Sequence, residues 1–374
     1  MPDLTWTLLL DGVPAPRAVV DAVEDIEVES HLGLAAILRL RLAVALTEDG
    51  SRWTVVDDGL FRRLGGVRLL LTAGAGPPAV LFDGYVAETD LSLSEDPGLS
   101  ALTVVALDAT VLMNLQERVR EWPNMPDSVI AAAVFGEYGL VPVVEVTHPV
   151  RTQLETTVVQ RDTDIRFLRH LAHRNGFDLY LKPGPVPGVV EGHFHRPVVD
   201  LPPRGVLSVH LGQLTNVRSF TARHEMLRPT AASASGVDAR TVARQPAEAR
   251  AAQSKPLGRR PLLNGDRPRA TLLRVGGPSR TGELQTLAQA TADRSSWAVT
   301  AEGELETALY GDVLEAGSTV LVRGAGPTFS GTYLVERVLH KIQGEDASQH
   351  FTLRRNALEA VGTEVYLPDL GLPS

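Results

Sequence analysis

The chain has 374 residues, 44% apolar and 22% charged, the balance of a globular protein with room for two or three cores. A net charge of −9 argues against nonspecific nucleic-acid binding by the whole molecule, and the absence of cysteine excludes disulfides, thiolate metal sites and cysteine nucleophiles. No apolar run approaches the roughly 18 residues of a membrane span. The opening MPDLTWTLLLDGVPAP lacks a basic segment, so no secretory signal is expected.

From Leu4 to Asp108 short apolar runs (Ile26 to Ser30, Ile37 to Val44, Val67 to Leu71, Val80 to Val86, Leu102 to Leu107) alternate with turn clusters such as Glu48-Asp49-Gly50 and Glu95-Asp96-Pro97-Gly98. Closely spaced strands with little helix predict a barrel or sandwich over 1–110; a plain antiparallel sheet is the alternative. Residues 111–204 differ and read as an inserted α+β domain. Pro126 and Asp127 open a helix that carries Ile130, Ala133, Val134 and Tyr138 on one face. A second helix starts at Asp162 and Thr163, whose side-chain oxygens suit free N–H groups, and Asp164 puts negative charge in its first turn. It buries Ile165, Leu168, Leu171 and Ala172 and stops at Asn175-Gly176, residue types that tolerate a left-handed cap. Phe177, Leu179 and Leu181 then alternate as in a half-buried strand.

The chain repeats itself. Gly74-Ala75-Gly76-Pro77 precedes Phe82-Asp83-Gly84, an apolar strand, an acidic turn and a strand ending at Asp108. Gly324-Ala325-Gly326-Pro327 precedes Phe329-Ser330-Gly331 and the same succession, ending near Asn356. Chance likeness of glycine-rich hairpins is one reading; the other is one β-barrel present twice, the second over 205–358. That copy is interrupted at about 229–304, where apolar periodicity is lost from Pro229 to Ala270, which predicts a long basic loop, and a helix follows from about Gly282 to Trp297. Residues 359–374 form a tail. The predicted class is mostly β, with an α+β insertion between two β-barrels related by an internal repeat.

No catalytic, cofactor or metal site emerges. His193 and His195 share a strand face, but only Glu191 is an acidic neighbour there, which favours a solvated face over a metal site. His170 and His173 lack an H-E-x-x-H context. The glycine turns carry proline where a phosphate loop needs an N–H, and strands follow them. No G-x-S-x-G elbow occurs. Within the basic segment 239–280, Arg259, Arg260, Arg267 and Arg269 are candidates for a protein interface; without interleaved aromatics, specific nucleic-acid binding is not expected.

The run R-D-T-D-x-x-F-L-x-x-L-A-x-x-N-G-F-x-L-Y from Arg161 to Tyr180 resembles the signature of contractile-tail hub proteins, the family of phage late-control protein D and the N-terminal part of VgrG spikes. Trp122 to Ile130, Glu137 to Leu140, Gly324 to Tyr333 and Phe351 to Leu358 are similar to further pieces of that family, in order along the chain. The resemblance implies a homotrimer whose chains each supply two tube-like barrels, so that a three-fold spike meets a six-fold inner tube. The implied partners are the inner tube protein, a separate spike of OB-fold or β-helix type, and baseplate wedge and LysM-type proteins. The resemblance implies assembly in the cytoplasm as part of a phage tail-like particle, with release by a route such as lysis. The competing classes are a tail-associated hydrolase and a carbohydrate- or nucleic-acid-binding β protein.

Overall fold

The structure is a computed structural model that describes residues 4–73, 77–148, 157–237, 243–264, 268–278, 281–344 and 346–364. The first β unit comprises β1 (Leu4–Leu10), the short β2 (Val13–Pro14), α1 (Arg17–Ala22), β3 (Val23–His31), β4 (Ile37–Ala43), β5 (Gly66–Ala73), β6 (Ala79–Ser92) and β7 (Ala101–Asp108). Its strands run in the order β3-β4-β7-β6-β5-β1-β2. Alternation drives the layout: Leu38, Leu40 and Leu42 are buried, while Arg39 and Arg41 between them are exposed. Leu8, Leu69 and Leu71 pack in one core with Ile26, Val28, Leu40 and Val104, so the sheet folds over on itself around that core.

The inserted unit follows with α2 (Thr110–Met113), β8 (Glu117–Trp122), α3 (Asp127–Glu137), β9 (Val141–Val144), β10 (Val158–Thr163), α4 (Asp164–Asn175), β11 (Asp178–Pro183) and β12 (Val190–His195). Ile130, Val134 and Phe135 of α3 meet Ile165, Leu168 and Leu171 of α4 in a second core. Gly176 closes α4 in the left-handed region at φ 71°, as its residue type predicts. The start of α4 differs from expectation. Thr163 stands at the cap position but makes no capping bond, because its hydroxyl donates to Asn114 Oδ1 at 2.9 Å; Asp162 accepts from the Thr163 N–H and pairs with Arg166 at 3.5 Å. Tyr180, expected on a wet face of β11, is buried against the His193 ring.

The second β unit comprises β13 (Val206–Ser208), β14 (Val217–His224) and, after an excursion, β19 (Val299–Glu306), α6 (Thr307–Tyr310), β20 (Thr319–Arg323), α7 (Gly326–Phe329), β21 (Gly331–Gln343), β22 (Asp346–Arg355) and β23 (Ala357–Leu358). The stretch expected as a loop instead contains β15 (Thr230–Val237), β16 (Arg244–Ala249), β17 (Arg260–Pro261) and the start of β18 (Arg269–Pro278), and α5 (Thr281–Ser296) stands where a helix was expected. Strands β16-β15-β18 form a sheet beneath α5. Its core is built from Ala232, Ala234, Ala247 and Ala249 against Leu284, Ala288 and Ala292. Alanine buries little area, so the period is present without a strong apolar signal.

Candidate functional site: a seam between the β units and two open edges

The two β units are joined by backbone pairing. Arg337 to Ile342 of β21 run antiparallel to Ile26 to His31 of β3, making one continuous sheet. Ile26, Val28, His340 and Ile342 are buried on one face of this seam. On the other, Arg337 Nε lies 2.5 Å from Glu29 Oε1, and Lys341 Nζ lies 2.8 Å from Glu27 Oε1. The Arg337 hydrogen bond holds the Glu29 carboxyl below its ordinary pKa, and the bond to Glu27 raises the Lys341 ammonium.

The units share more than strand order. In the second, β14-β19-β22-β21-β20 reproduces β3-β4-β7-β6-β5. Bulges fall at matching places: between Val23 and Asp25 of β3 and Val217 and Ser219 of β14, and between Val86 and Glu88 of β6 and Val335 and Arg337 of β21. At the second bulge even the hydrogen bonds repeat. Val86 N donates to Gly65 O at 2.9 Å and Val86 O accepts from Leu64 N; Val335 N donates to Ser318 O at 2.8 Å and Val335 O accepts from Gly317 N. With the bulges aligned, Val86 corresponds to Val335, Glu88 to Arg337, Asp25 to Ser219 and Glu29 to Arg223.

Among the described residues two edges are without a partner strand. The first half of β6, to Tyr85, pairs with β5, but Glu88 to Ser92 pair only with β7. Strand β14 pairs only with β19. These open edges are the counterparts of β21 and β3, the strands that meet in the seam.

The described arginines among those singled out by composition stand on different elements. Arg260 pairs with Leu358 in the β17–β23 ribbon and makes an ion pair with Glu359 at 3.5 Å, while Arg259 donates to Val361 O at 3.3 Å. Arg269 begins β18 in a different sheet, and Arg267 lies outside the described residues. The open edges carried no composition signal; a search for half-paired strands needs the pairing register.

A family model described as the Alg8 N-terminal domain matches residues 64–344. The chain belongs to the Alg8 N-terminal domain family. No curated protein sequence matches it. Among solved structures, this Alg8 N-terminal domain chain is similar to the 43 kDa tail protein of prophage MuSo2 from Shewanella oneidensis, at 14% identity and TM-score 0.66 over 95% of this chain and 100% of that one. A tail protein from Neisseria meningitidis MC58 gives 10% identity and TM-score 0.66 over 95% and 97%. The E. coli c3393 protein, a type VI secretion component described as structurally similar to T4 tail proteins gp27 and gp5, gives 11% identity and TM-score 0.57 over 96% and 80%. The fold of the Alg8 N-terminal domain is thus that of phage tail and spike-hub proteins, mostly β, with an α+β insertion between two related β units.

Two polar clusters of this Alg8 N-terminal domain chain lie away from the edges. His193 and His195 do share a face of β12, with Nδ1 of one 2.9 Å from Nε2 of the other and Glu191 3.1 Å from His193. The face is closed and not solvated: Tyr180 stacks on His193 at 4.5 Å, and burial pulls the His193 pKa down to about 3. Among the described residues no group of three or more His, Asp or Glu has the geometry to hold a metal. A cavity of about 460 Å³ between the three units is lined by Asp108, Tyr180, Lys182, Arg204, Glu315 and His340. Its carboxylates are occupied structurally. Asp108 accepts from the Ala36 and Thr110 N–H groups, and burial raises its pKa. Burial works to raise Glu315 too, but Lys182 at 2.6 Å and Arg204 at 2.5 Å outweigh it and bring its pKa down.

Proposed function

We propose that this chain is a structural subunit of the hub of a contractile tail, without turnover of its own. Three copies form a ring of six β units that faces a six-fold inner tube on one side and carries a three-fold spike on the other. A single chain holding two β units of equal strand order, fused edge to edge, is the observation that carries this reading: it lets one component present three-fold and six-fold faces together. The likeness to tail proteins and to a type VI secretion component supports it.

The partners that follow are an inner tube protein, a separate spike polypeptide of OB-fold or β-helix type, and baseplate wedge and LysM-type proteins. Assembly would take place in the cytoplasm, within a phage tail-like particle. Exposed Arg259 and Arg260, at the start of β17, and Arg269 on β18 are proposed as part of the surface offered to them. Native mass spectrometry of the purified assembly tests the stoichiometry. The expected mass is that of three chains; a stable dimer or tetramer, or a single chain at tens of micromolar, would contradict it.

A further inference from the structure

The polar face of β12 carries a row of contacts whose hydrogens fall one short. His195 Nδ1 lies 2.7 Å from the Arg196 carbonyl oxygen, His195 Nε2 lies 2.9 Å from His193 Nδ1, and His193 Nε2 lies 3.1 Å from Glu191 Oε2. Both ends of the row, a backbone carbonyl and a carboxylate, can only accept. Two neutral imidazoles bring one ring hydrogen each. These fill two of the three contacts and leave the third with lone pair facing lone pair. One further proton completes all three. The row is also enclosed: Tyr180 stacks on the His193 ring at 4.5 Å and meets the His195 ring edge-on at 5.9 Å. The other face of β12 is apolar, with Phe194 buried and the Phe135 ring seated so close to Gly192 that a Cβ there would lie 2.7 Å from it.

We infer that Glu191, His193 and His195 form a proton-binding site: the folded chain holds one shared proton there, which the unfolded chain gives up. The neighbouring charges are already engaged. On β11, Lys182 is held by Glu315 at 2.6 Å, with Arg204 on the same carboxylate, and Asp178 is held by Arg354 at 2.6 Å. On the β9 side, Val141 and Val143 stand in register with Glu191 and His193, and Glu145 is taken by Arg196 at 3.2 Å. Across the cavity that Glu191 lines are Asp83, paired with Arg68 at 2.7 Å, and His31, Asp108 and His340. Burial, and then the charges of His195 and Lys182, keep a cation off the His193 ring, so that ring relays while the two ends of the row carry the proton. With it the set is neutral overall. Without it a net negative charge and an unfilled contact lie against Tyr180. Because β12 pairs with both β11 and β9, loss of the proton loosens that sheet. A proton held more firmly by the fold than by the open chain gives stability that is complete below pH 6.5 and lost as pH rises through the midpoint of the set.

Glu191→Gln separates this site from an ordinary ion pair, because the amide supplies the missing hydrogen. Its N–H donates to His193 Nε2, and two neutral rings then complete the row with no added proton. Urea unfolding of the full chain is followed from pH 6 to pH 9 for the unmodified protein and the variant. Relative to Glu191→Gln, the unmodified chain should lose up to tenfold in its folding equilibrium constant per pH unit, beginning above pH 6.5. Curves that stay parallel, with the variant less stable by the same amount at every pH, or that diverge in the opposite sense, would overturn the inference. A second reading needs no variant. With nitrogen-15 at the histidines, the His193 and His195 rings of the unmodified chain should respond to pH together, at one midpoint above 6.5. Separate midpoints, or either ring responding below 6.5, would overturn it equally.

Discussion

The two β units solve one folding problem with different side chains. At the place where Leu40 of β4 faces Val104 of β7, Gly303 of β19 faces Phe351 of β22. Volume is exchanged across the strand pair while the backbone, bulges included, stays the same. At the strand ends, Asp108 corresponds to Arg355, and both are buried. One accepts backbone N–H groups; the other donates to the carbonyls of Leu257, Ser330 and Glu359. The comparison teaches that the shared features are backbone pairing and bulge position, while side-chain volume and charge differ between the copies.

The comparison can be broken most severely at Arg355. Arg355→Met leaves those carbonyls buried without a donor and should cost roughly 3–5 kcal/mol, against roughly 1–2 kcal/mol for Asp108→Asn, which keeps one acceptor oxygen. Chemical denaturation midpoints of the two variants measure the difference. Next come His340 and its counterpart Leu91. Burial depresses the His340 pKa from 6.5 to about 4, so the folded state holds this proton less tightly than the unfolded chain. The resulting stability is present above pH 6.5 and is lost as pH falls through about 4, amounting to roughly 3 kcal/mol. His340→Leu should flatten that part of a stability-versus-pH curve; an unchanged slope would count against it. Asp108 works in the opposite direction: its raised pKa costs stability as pH climbs from 3.8 through the folded value.

The packing exchange makes a paired prediction. Leu40→Ala opens a void and should cost roughly 3 kcal/mol. Gly303→Ala should cost roughly 2 kcal/mol, because a Cβ there would lie 2.2 Å from Ser219 O and 2.5 Å from the Phe351 ring. Thermal melts read both. The smallest effect is expected at the seam itself. Arg337→Glu faces Glu29 with like charge on a partly exposed surface whose backbone pairing remains, so it should cost only about 1 kcal/mol.

How much of this was legible depended on which atoms carried the signal. The helix α4 could be read from Ile165, Leu168 and Leu171 and from the Asn175-Gly176 stop, since apolar period and cap residue both act locally. The α3 helix showed itself too, although its buried face includes Ala131 and Phe135 in place of Ala133. The duplication was visible through glycine hairpins, yet those motifs align Gly84 with Gly331, two residues away from the match the strands make, in which Val86 meets Val335. Loop lengths drift between copies, while bulges pin the register. Alanine hid the sheet beneath α5. The open edges could not be seen in the sequence at all, because Glu88 and Arg223 correspond to Arg337 and Glu29 only once register aligns the two units.

A reconstruction of the purified assembly by electron cryomicroscopy tests the central claim most directly. Three chains should place six β units around one channel. A map with any other number of β units around the axis, or with no channel, would contradict the account.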